Sequence, residues 1–171
     1  MYKRVFFIVC LFFIFSPKLI FAQPKITGSD IVINIEEDSH YTFQHTYNVS
    51  NITTHQPRNY ERSWTNTDSV YYVDRNYIIL YMPPFLNGSA LIKVANNDKY
   101  ESHANWLSFD ISVRSAVYIA YDPRISPVAS WLNDGSWTLL SDTLDVTDYN
   151  AGELDIYTKE YAPGIITLGG N

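Results

Sequence analysis

Asn105-Trp106-Leu107-Ser108-Phe109-Asp110-Ile111-Ser112-Val113-Arg114 is the stretch that decides the fold. Leu107, Phe109, Ile111 and Val113 recur at every second position, with Ser108, Asp110, Ser112 and Arg114 between them. A period of two puts the apolar set on one face of an extended chain and the polar set on the other, which is the pattern of a half-buried strand. A helix would scatter the same residues around its circumference. The alternation returns in Ile31, Ile33 and Ile35, in Tyr41, Phe43, His45, Tyr47 and Val49, and in Val117, Ile119 and Tyr121. Clusters of turn formers separate these segments: Asn87-Gly88-Ser89, Asn96-Asn97-Asp98, Asn133-Asp134-Gly135, Asn150-Ala151-Gly152 and Pro163-Gly164. Short strands at this spacing predict an all-β, antiparallel β-sandwich, fibronectin-like or jelly-roll-like. The 14 tyrosines and 9 phenylalanines suit pleated sheets better than helices. At most one short helical turn is expected, capped by Ser126, opened by Pro127 and running through Leu132.

The N-terminus says where the chain goes. Tyr2-Lys3-Arg4 is a short basic region, Val5 to Phe15 is apolar without a break, and Ala22 supplies a small residue before Gln23. Residues 1–22 read as a signal peptide cut after Ala22, because the run is too short to span a bilayer. A secreted or periplasmic protein follows. The cut removes Lys3, Arg4 and Lys18 and no acid, so the formal net charge moves from -6 to -9. That balance argues against nucleic acid as a partner and, once the leader is gone, against an anionic membrane surface. The only cysteine, Cys10, leaves with the leader. Disulfides, thiol nucleophiles and thiolate metal sites are thereby excluded from the mature chain.

Residues 23–68 are rich in Thr, Asn and His and are broken by Gln56-Pro57-Arg58-Asn59, whereas residues 69–171 are more regularly apolar. The first part is expected as strands and a loop packed on the second, since so short a piece cannot bury a core alone. Five stretches of the second part carry a resemblance: Tyr72 to Tyr77, Pro83 to Gly88, Ile92 to Lys99, Val117 to Arg124, and Pro127 to Leu132 with Trp137. The closing Ala162 to Asn171 extends it. In this order they resemble an accessory β-sandwich module of secreted bacterial polysaccharide-degrading enzymes, across about residues 69–171. The resemblance implies a fibronectin-like, carbohydrate-binding module that sits beside a lyase or hydrolase. Two features depart from it. No catalytic domain accompanies the module, and Gly169-Gly170-Asn171 stands where a last strand is expected. Either residues 23–66 complete the sheet or the chain is a remnant of a multidomain enzyme.

The candidate site lies in Val117 to Trp137. Asp122-Pro123-Arg124 ends a strand, where Asp bonds its own backbone and Pro fixes φ, so Asp122 and Arg124 read as a turn lock or ion pair, with a ligand role as the alternative. Trp131 and Trp137 flank Asn133 and Asp134. Flat rings stack on the C–H faces of sugars while nearby amides and carboxylates bond their hydroxyls. Each ring is equally compatible with a core plug, since tryptophan is mostly buried. Trp64 sits in a polar loop and is the tryptophan most expected to be exposed, whereas Trp106 heads a strand and is expected at its edge or in the core.

No catalytic constellation emerges. Carboxylate pairs for glycoside cleavage need a defined separation that sequence does not give. His40, His45, His55 and His103 lack the spacing of a zinc site, and no nucleophile elbow or phosphate loop occurs. No cofactor is expected. A structural calcium stays open as an alternative, on Asn96-Asn97-Asp98 or on Asp142, Asp145 and Asp148. The chain is therefore expected to be a non-catalytic module that binds a polysaccharide or glycan. The alternative is a structural or protein-interaction module whose partner is a polysaccharide-degrading enzyme.

Overall fold

The computed structural model of the chain describes residues 49–171 and, as backbone, Phe7–Phe12. In chain order the strands are Phe7–Phe12 (β1), Val49–Thr54 (β2), Glu61–Trp64 (β3), Ile79–Tyr81 (β4) and Ala90–Lys93 (β5), then Leu107–Ile111 (β6), Ser115–Tyr121 (β7), Thr138–Val146 (β8), Glu153–Tyr161 (β9) and Gly164–Leu168 (β10). Seven form one sheet in the order β3-β5-β1-β7-β9-β8-β4, and three form another in the order β10-β6-β2. Every pairing of these strands is antiparallel. The expected all-β sandwich class is therefore the observed one. The alternations around Ile31 and Tyr41, the histidines His40 and His45, and the cut after Ala22 lie outside the described residues.

β6 shows why the sequence folds this way. Leu107, Phe109 and Ile111 are buried while Ser108 and Asp110 are half-buried between them. Burying each apolar side chain contributes about 2 kcal/mol. Val49 of β2 and Ile166 and Leu168 of β10 add to the same core, which continues through Ile119, Leu144 and Ile156 of the larger sheet. β7 departs from the expected alternation, because Tyr118 and Ala120 are buried along with Val117, Ile119 and Tyr121. An inner strand covered on both faces is apolar on both faces. Phe85, in the turn Pro84–Leu86, covers Tyr118 with ring centroids 5.6 Å apart.

β1 is the apolar run expected in the leader, and it lies between β5 and β7. β2 and β3 come from the segment expected to pack on the main module, and each joins a different sheet. That segment thus supplies strands to both layers.

The short helical turns are 3-10 turns at Pro84–Leu86 and Asn96–Asp98. At the place expected for one, the Ser126–Pro127 peptide is cis and the chain makes only a hydrogen-bonded turn. There Leu132 and Asn133 both donate their N–H to the carbonyl of Ala129, at 3.0 and 3.1 Å. The β8–β9 hairpin closes on Gly152 at φ 62°, a conformation glycine adopts without strain. Asp148 locks this turn by accepting the N–H of Asn150 at 2.9 Å.

Candidate functional site

Thr54 and Leu168 both lie opposite Leu107 at one end of the three-stranded sheet. The chain leaving β2, the chain entering β6 and the chain leaving β10 therefore meet there. The first two wall an open pocket of about 430 Å³, lined by Gln56, Arg58, Asn97, Asp98, Tyr100, Glu101 and Ser102.

The two carboxylates of the pocket are already engaged. Asp98, with its side chain 2% exposed, pairs with the Arg58 guanidinium and accepts the Tyr60 hydroxyl at 2.6 Å. Burial first, and then this bond to Asp98, pushes the Tyr60 pKa far up, so the hydroxyl stays a donor. Glu101 accepts the Gln56 amide at 2.7 Å and the His103 N–H at 2.9 Å, with His55 Nδ1 at 3.5 Å. The Gln56 amide, followed by the His103 N–H, holds the Glu101 carboxyl down to about 2. The rings of His55 and His103 stack beside it at 3.7 Å.

What the pocket offers a ligand is different. Arg58 spends only Nε on Asp98, and Asn97 gives its carbonyl oxygen to Arg75 at 2.8 Å, so guanidinium and amide donors remain. Tyr100 is 60% exposed, with the Lys99 ammonium 5.3 Å from its ring centroid. A flat ring with an accessible face beside amide, hydroxyl and guanidinium groups can stack on a sugar and bond its hydroxyls at once.

The last three residues brace this end. Gly170 donates its N–H to the His103 carbonyl at 2.9 Å, and Asn171 donates its N–H to the Glu101 backbone carbonyl at 2.7 Å and its side-chain amide to the Lys99 carbonyl at 2.9 Å. Gly169-Gly170-Asn171 is thus a strap across the pocket loop, where a further strand was expected.

The residues singled out in the sequence lie elsewhere. Asp122 is fully buried, and Arg124 grips it with Nε at 2.8 and 3.1 Å and with Nη2 at 2.5 Å, while the Arg124 N–H adds a bond at 2.9 Å. Asp122 raises the Arg124 pKa. This is the geometry of a turn lock. Trp131 and Trp137 meet edge to face at 5.7 Å and an angle of 76°, so they make no coplanar platform. Trp137 is 9% exposed and packs on Tyr161 at 6.1 Å. Lys159 covers both rings at 5.7 and 5.3 Å and bonds the Ser136 hydroxyl at 2.7 Å. Asn133 and Asp134 are exposed beside them, and Ser136, through its hydroxyl and its N–H, holds Asp134 below the usual carboxylate range.

Trp64, expected exposed in a polar loop, is instead half-buried on β3, where pairing with β5 holds it, five strand spacings from β8, or about 24 Å along the sheet. The structure does not bring it to Trp137. Trp106, expected at the strand edge or in the core, is buried in the core beside Tyr60. Among the described residues no group of three or more His, Cys, Asp or Glu side chains could hold a metal ion, so the acids weighed for calcium do not converge. Asp142 and Asp145 lie on β8 and Asp148 locks the following turn. The pocket has one signal in the sequence, the pair of strand breakers Gln56-Pro57-Arg58-Asn59 and Asn96-Asn97-Asp98, whose residues line it from two sides.

No family model matches the chain, and no curated protein is similar to it. Among solved structures it is similar to a beta-glucuronidase from glycoside hydrolase family 2, with a TM-score of 0.60 and 16% identity. The match covers 70% of this chain and 12% of that one, so the chain spans a small part of the enzyme's length. At that identity the likeness is one of fold.

Proposed function

We propose that the chain is an exported, non-catalytic β-sandwich module that holds a polysaccharide against Tyr100, in the pocket between the loops after β2 and before β6. The observation that carries this reading is the pocket itself, with an exposed ring among unspent polar groups. The tryptophan corner is a weaker seat, since Trp131 and Trp137 meet edge to face and Trp137 is buried beneath Lys159. The fold likeness supports an accessory role, because 12% of a beta-glucuronidase is too little to be the whole enzyme. Glycoside cleavage needs one carboxyl of a pair protonated near neutral pH, whereas in this pocket Glu101 is held ionised down to about 2 and Asp98 is spent on Arg58 and Tyr60. Export rests on the leader, and the acidic mature chain suits a soluble protein outside the cell. Electrophoresis through gels containing neutral and acidic polysaccharides tests the reading. Retardation on at least one polymer is expected; none on any, from a folded sample, would reject it.

A second reading has its own observation. β4 is an edge strand whose Leu80 and Tyr81 are each 52% exposed. A protein partner, such as a polysaccharide-degrading enzyme, can add a strand to such an edge. It would slow hydrogen exchange at Ile79–Tyr81, and unchanged exchange with the enzyme present would argue against it.

A further inference from the structure

Phe7–Phe12 meets two demands that oppose each other. It is the apolar run of the expected leader, and it is the third strand of the seven-stranded sheet. Val9 stands opposite Ile92 on one side and Ile119 on the other, and Cys10 stands between Leu91 and Tyr118. Leu91, Ile92, Val117 and Ile119 are fully buried, so the seat is apolar and flanked on both edges by hydrogen-bonding backbone. A leader works only while its apolar run is free to be bound. A strand paired along both edges inside a sheet is not free. Inner strands are released only by opening that approaches global unfolding, which a marginally stable domain visits in about 10⁻³ to 10⁻⁶ of its molecules.

We propose that Phe7–Phe12 is an autoinhibitory strand. A precursor that folds before export seats its own leader between β5 and β7 and closes it to the export apparatus, so only chains that have not yet folded are exported. This rests on the leader reading above. It gives the apolar character of both faces of β7 a consequence for the precursor: the sheet that makes the domain stable also competes for the leader. Export must therefore outrun the pairing of β1 with β5 and β7.

Cys10, the only cysteine in the chain, makes the strand directly testable. The full chain, produced without export and refolded, is prepared as Tyr118→Cys, as Leu91→Cys and as Thr158→Cys, and each is oxidised. Tyr118 and Leu91 are the direct neighbours of Cys10, whereas Thr158 lies across from Tyr118 one strand further on. A second strand spacing puts Cα atoms about 9.6 Å apart, beyond the reach of a disulfide. The expected result is a disulfide to position 118 or 91 and none to position 158. Using both neighbours guards against one variant failing to fold. A native chain that forms neither bond, or forms the distant one as readily, overturns the proposal. The intact mass of the exported protein checks the leader reading separately. A mass beginning at Gln23 upholds it. Residues 1–22 still attached, with the disulfide formed, would overturn the leader reading and the autoinhibition together, leaving a permanent sheet strand.

Discussion

The indole nitrogen of Trp131 donates to the carbonyl of Gly170 at 2.7 Å. This bond ties the turn after β7 to the strap that braces the pocket loop. The strap fits only because Gly169 and Gly170 lack side chains. A Cβ on Gly169 would stand 2.5 Å from Cδ1 of Trp131, and one on Gly170 would stand 2.2 Å from the backbone oxygen of Glu101.

Gly170→Ala should therefore lower stability by about 1–3 kcal/mol, since backbone atoms must move to admit the methyl group. Urea unfolding measures it. A stability equal to that of the wild type would show that the strap is loose.

Asp122 and Arg124 should behave as a structural pair. Arg124→Leu leaves the buried Asp122 carboxylate with fewer partners, at a cost of about 2 kcal/mol, and should leave polysaccharide retention unchanged. Loss of retention in a variant of unchanged stability would move the pair into the binding site.

Glu101 gives the pocket loop a pH signature. Its folded pKa of about 2 lies below the ordinary 4.5, so the group contributes stability that is fully present above about pH 4.5 and is lost as pH falls through 2. The wild type should lose stability more steeply between these limits than Glu101→Gln, which has no carboxylate to protonate. Parallel losses in urea titrations at pH 5 and pH 2.5 would show that the Gln56 and His103 bonds to Glu101 do not persist in solution.

Much of this fold was legible because burial leaves a period. The alternation from Leu107 to Ile111 is the observed burial of β6, and the clusters at Asn87-Gly88-Ser89, Asn133-Asp134-Gly135 and Asn150-Ala151-Gly152 all fall between strands. The Asp122-Arg124 lock was readable too, because it joins residues two apart. The seat of Phe7–Phe12 was not, since an apolar run too short for a membrane is chemically both a leader and an inner strand. The fate of the tryptophans was equally hidden. Whether Trp137 faces solvent or Lys159 depends on a partner more than twenty residues away. The pocket joins Gln56 to Glu101 across 45 positions, a distance over which no local pattern carries information.

In the proposed function Tyr100 provides the sugar-binding surface, and substituting it separates that role from the tryptophan corner. Tyr100→Ala and Trp137→Phe are compared with the wild type in gels containing the retarding polysaccharide, with melting temperatures followed alongside. Tyr100→Ala should weaken retention about tenfold, a loss of about 1.4 kcal/mol, with a melting temperature unchanged because the ring is exposed. Trp137→Phe should retain binding and lose stability. Full retention by Tyr100→Ala, or loss of retention in Trp137→Phe alone, would contradict it and return the site to the tryptophan corner.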